Sequence, residues 1–128
     1  MRTPGALLLG LALTFVNVSP SAHAEETDPV AELAIALQEQ VATIVVNDKT
    51  ECEKMASDLG AFVTAHQRDF AAVAEWSKHL TPGQKKAYLA KYGARLYAVS
   101  QKLTSNVQAC IANPRVMQAL QRIEAASK

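Results

Sequence analysis

Two apolar stripes in this chain mirror one another about residue 81, and the outermost member of each is a cysteine. The first reads Cys52, Met55, Leu59, Val63, His66, Phe70, Val73; the second reads Leu89, Tyr92, Leu96, Val99, Leu103, Val107, Cys110. Both advance by three or four residues, the spacing of one face of an α-helix. Counted outward from Leu80-Thr81-Pro82, Val73 meets Leu89, Phe70 meets Tyr92, His66 meets Leu96, and so on to Cys52 and Cys110. A turn at Thr81 therefore predicts a long antiparallel helical hairpin over about 51–79 and 82–112, with the two cysteines apposed at its open end. They are the only 2 cysteines in the chain, and neither lies in a Cys-x-x-Cys pair or beside further metal-ligand residues, so the expected product is an intrachain disulfide.

Helix starts are well marked elsewhere. Asp28-Pro29 and Asn113-Pro114 each offer an N-cap with proline in the first turn. Thr50-Glu51-Cys52-Glu53 and Thr81-Pro82-Gly83-Gln84 have the form of capping boxes. No run of alternating β-branched residues bounded by Gly or Asn-Gly occurs, so the expected class is all-α. Two shorter helices, about 29–47 and 114–126, flank the hairpin with stripes of Val30, Leu33, Leu37, Val41, Ile44, Val45 and of Val116, Met117, Leu120, Ile123. At about 1.5 Å per residue the first is much shorter than the helix over 51–79, so residues near 72–93 are expected to project as a bare two-helix tip.

Residues 1–24 read as a signal peptide: a basic start at Arg2, an apolar run from Ala6 to Val18, and Ala22-His23-Ala24 before the cut. What remains, 25–128, is expected to be a single helical domain, periplasmic or secreted, without a membrane span once the signal is removed. Its charge is uneven. Residues 25–58 carry nine acidic against two basic side chains, and 59–128 carry three acidic against ten basic. Either the halves attract each other within the fold, or a basic face awaits an acidic partner.

The expected tip holds Trp76, Lys78, His79, Lys85, Lys86, Tyr88, Lys91 and Tyr92, with Glu75 as its only acid. Aromatic bodies among basic heads suit an acidic or unfolded protein partner, because rings give contact area and lysines give attraction at a distance. Covering of the hairpin's own core by the same rings is the competing reading. His66 falls in the apolar seam and His79 thirteen residues further on, so they form no metal pair on one helical turn. There is no His-x-x-x-His, haem-attachment motif, Gly-x-Ser-x-Gly or phosphate-binding glycine loop. No catalytic residue, metal or cofactor is expected, and a neutral, exported chain is a poor candidate for nucleic acid.

Leu80-Thr81-Pro82-Gly83-Gln84 resembles the Leu-Thr-x-x-Gln motif of the Spy/CpxP group, small all-helical periplasmic proteins that act as ATP-independent chaperones or stress sensors. That family repeats the motif and dimerises into a cradle; here the motif occurs once. The chain is equally similar to small two-cysteine helical proteins that Gram-negative bacteria export, a resemblance that implies no activity. The resemblance to the Spy/CpxP group implies non-catalytic binding, as a periplasmic chaperone or envelope-stress protein. A structural envelope component with no small-molecule chemistry is the alternative.

Overall fold

A computed structural model describes residues 28–128; the expected signal peptide and its cut lie outside the described residues. They form α1 (Pro29–Asn47), α2 (Cys52–Ala65), α3 (Gln67–Lys78), α4 (Pro82–Asn106), a 3-10 turn (Gln108–Cys110) and α5 (Pro114–Ala126), with no strand among them.

Local chemistry sets most of the boundaries. Asp28 Oδ1 accepts from the Val30 amide at 2.9 Å and starts α1. Asn113 Oδ1 accepts from the amides of Arg115 (2.9 Å) and Val116 (3.1 Å) and starts α5. The Thr81 box is closed in both directions, Gln84 N to Thr81 Oγ1 at 3.1 Å and Thr81 N to Gln84 Oε1 at 2.9 Å. The Thr50 box does not form. Glu51 caps α2 without a side-chain bond, and the Glu53 carboxylate is held instead by Asn113 Nδ2 at 2.9 Å and by Arg115.

Two expected helices are shorter than their apolar stripes. The helix over 51–79 breaks at His66, which has φ −113° and ψ 23°. Beyond the break Phe70 returns to Leu37 and Val63, and its ring meets Phe62 edge-on at 6.1 Å. The helix over 82–112 stops at Asn106, where side-chain amides take late carbonyls, Asn106 Nδ2 on Lys102 O at 2.8 Å and Gln108 Nε2 on Thr104 O at 3.1 Å. The tighter 3-10 turn then carries Cys110 inward to the disulfide with Cys52, Cα–Cα 5.2 Å.

Of the expected mirror pairs, Cys52 and Cys110 meet in the disulfide. Met55, Leu59, Leu103 and Val107 share one cluster around the buried Cys110. From Val63 onward α1 takes the place of the expected partner. Val63 and Phe70 pack on Leu37, whereas Tyr92 and Leu96 pack on Ala31 and Ile35. The extensive interfaces are α2 with α5, α1 with α4 and α1 with α3, while α3 and α4 touch little along their lengths. The hairpin is thus replaced, away from the disulfide, by a bundle built around α1. That helix has a mean hydropathy of 1.4, enough by length and composition to cross a membrane, and here it forms the centre of the core.

At the end of α1, Asp48 is only 2% exposed. Its Oδ1 accepts from Lys54 Nζ at 3.1 Å, and the same ammonium reaches Asp58 Oδ2 at 2.9 Å. Asp48 Oδ2 is buried with no hydrogen-bond donor. Burial, and then the facing Asp58 carboxylate, push the Asp48 carboxyl above its ordinary value of 3.8. Asp58 is pulled down, mainly by Lys54. The Asp48 contribution to stability is therefore complete below 3.8 and fades as pH rises through the raised folded value; the Asp58 contribution runs the other way. Asp48→Asn supplies a permanent donor without the buried charge. The variant is expected to melt above the parent at neutral pH, with the gap narrowing as pH falls towards about 4. Thermal scans across that range check it, and a parent that is the more stable at neutral pH refutes it.

Candidate functional site: the outer face of helix α4

Helix α4 is anchored on one side only. Tyr92 and Val99 are buried beneath it, and Arg95 ties it to α1: Nε and Nη2 donate to the two oxygens of Glu39 at 3.0 and 2.8 Å, and Nη1 donates to Glu32 at 3.3 Å. Glu39 is held below the usual carboxylate range chiefly by this fork. Glu32 is lowered first by the Tyr92 hydroxyl, which approaches without closing a hydrogen bond of good geometry, and further by Arg95. The same acids raise the Arg95 pKa, Glu39 most. Together with Arg115 on Glu53, these pairs join the acidic N-terminal part to the basic remainder, so part of the charge asymmetry is spent inside the fold.

A neighbouring face of α4, from Leu89 to Tyr97, is left uncovered by the described residues. Leu89 is 57% and Tyr97 67% exposed, and Ala87, Ala90, Ala94 and Ala98 beside them are exposed as well. Gly93 lies between, and a Cβ built on it meets nothing within 4 Å. Lys85, Lys86, Lys91 and Lys102 border this surface and are exposed. Between Glu75 and Glu124 the sequence has no acidic residue at all. The exposed apolar side chains are thus bordered by one sign of charge.

The residues expected at the projecting tip divide by type. The tip is not bare, because the start of α1 reaches it: Trp76 Nε1 donates to Asp28 Oδ2 at 3.1 Å. Trp76, Tyr88 and Tyr92 stack in series, with ring centroids 5.4 and 5.1 Å apart, against Ala31 and Ile35. Trp76 and Tyr88 are half-buried and Tyr92 is 4% exposed. Lys91 stands 5.4 Å over the Tyr92 ring. Lys78 and His79 both lie by Glu75, at 3.9 and 2.9 Å, and His79 first, then Lys78, lowers the Glu75 pKa. Lys85 and Lys86 stay in solvent at the start of α4. His66 sits at the helix break, stacked on Phe62 and 3.0 Å from Asp69.

A concavity of about 550 Å³ runs between α2 and α5. Its floor of Ala56, Gly60 and Ala119 lets the helices approach closely, and Arg122 lies across it to Thr64 at 2.9 Å. It is the seam of the α2–α5 contact. Among the described residues no group of three or more His, Cys, Asp or Glu could hold a metal ion. No family model, curated protein or solved structure matches this chain.

Leu89 belongs to the apolar stripe of the sequence yet is exposed, because a helix's own stripe shows which side is apolar enough to bury and not how far a neighbour covers it. The signal that was present is the absence of any acid from Trp76 to Ile123.

Proposed function

We propose that this is an exported helical protein that acts by non-catalytic binding, holding acidic or partly unfolded protein segments against the outer face of α4. The observation that carries the reading is the exposed Leu89–Tyr97 surface on a helix with four lysines and no acid. The Cys52–Cys110 disulfide suits an oxidising compartment, and the Leu80–Gln84 resemblance points to the same periplasmic, chaperone-like role. The lysines steer the encounter and the apolar side chains hold the complex.

The test is suppression of aggregation of a reduced, acidic client by the oxidised protein. Leu89→Ser with Tyr97→Ser should leave stability within about 0.5 kcal/mol, since both side chains are exposed, yet remove most of the suppression. Lys85→Glu with Lys86→Glu should slow association and flatten its dependence on salt. A Ser double variant that protects the client as well as the parent does would sink the proposal.

A further inference from the structure

We infer that the partner segment is an acidic α-helix that crosses α4 at Gly93; this rests on the reading of α4 as the binding surface and names the shape of what it binds. Gly93 is in the interior of α4 with space around it, and no contact among the described residues requires the missing side chain. An alanine would fit there and would favour the helix. Leu89 and Tyr97, one turn to either side, stand into solvent as walls. Their backbone positions are about 12 Å apart along the axis, and the notch that Gly93 leaves between the two side chains suits a ridge of a crossing helix, with the partner's backbone close to that of α4 and Leu89 and Tyr97 against its flanks.

Charge selects the sign of the partner. A second copy of α4 would bring lysines against lysines, because this helix has no acid to offer. A lipid surface is a poorer fit, since two separated side chains with a glycine between them give little apolar depth to insert. An acidic helix with one apolar face satisfies both the notch and its basic border.

The experiment titrates the oxidised protein with three labelled peptides: an Ala-rich helix with glutamates on one face and leucines on the other, its isomer broken by prolines, and its Lys-for-Glu counterpart. The acidic helix should bind at least about tenfold more tightly than either of the others. Gly93→Leu should weaken it by about tenfold or more while melting no lower than the parent, and Gly93→Ala should raise the melting temperature by a few degrees. If the broken isomer binds as well as the helix and Gly93→Leu has no effect, the helical partner is wrong although α4 still binds. If no acidic peptide binds, or Leu89→Ser with Tyr97→Ser changes nothing, the α4 reading falls with it. Adsorption to phosphatidylglycerol vesicles without peptide binding, or a dimer in sedimentation that Gly93→Leu abolishes, would each overturn the inference in favour of lipid or a second copy.

Discussion

Removing the disulfide by Cys52→Ala with Cys110→Ala is expected to lower the unfolding free energy by about 4 kcal/mol, the chain-entropy contribution of a crosslink across a separation of 58 residues. Part of the loss is local, because Cys110 is fully buried among Met55, Leu59 and Val116. Reduction of the parent with a thiol separates the two: it removes the crosslink and leaves the sulfur atoms in place. Helicity should persist in both cases, since the caps of α1, α4 and α5 do not depend on the bridge. Urea denaturation followed by circular dichroism measures the effect. Unchanged stability after reduction would show that the loop is already closed by packing alone.

The second large effect is expected at Trp76. Its ring fills the space between Tyr88 and the start of α1, and its indole N–H is bonded to Asp28. Trp76→Ala should cost about 2–3 kcal/mol, below the full range for a core aromatic because the ring is half-buried. Trp76→Phe keeps the stacking and loses only the bond to Asp28, so its cost should be about 1 kcal/mol. If the alanine variant unfolds at the parent's urea midpoint, the aromatic series is not part of the core.

The contrast between these two sites shows what the sequence could disclose. The cysteine pair was legible because two periodic stripes and a capped turn agree on a register, and a covalent bond needs only the outermost pair to meet. The expected bare tip is covered by the start of α1, because periodicity marks the face that is buried and not the element that buries it. Helix α1 has an additional set of buried positions, Ala31, Ala34, Ile35 and Ala42, outside its six-residue stripe. A buried arc wider than one stripe is the mark of a helix that packs on more than one neighbour, and small alanines let three neighbours come close. The break at His66 had no Gly or Pro to announce it; packing of Phe70 onto Leu37 accompanies it. The candidate site is half legible: the lysines Lys85 and Lys86 stand out in the sequence by charge, while the exposure of Leu89 and Tyr97 depends on how far α1 extends beside α4.

Helix α1 lies outside the loop that the disulfide closes, yet its main partner, α4, lies within it. The Arg95 contacts to Glu39 and Glu32 span 56 and 63 residues. A chain made from its N-terminus therefore produces its most apolar helix first and the surface that shelters it much later. Those distant pairings close only after the later helix has been made. The interval is also when the nascent chain is most prone to aggregate. A protein proposed to shield the exposed segments of others would, by the order of its own helices, be in need of shielding while it is made.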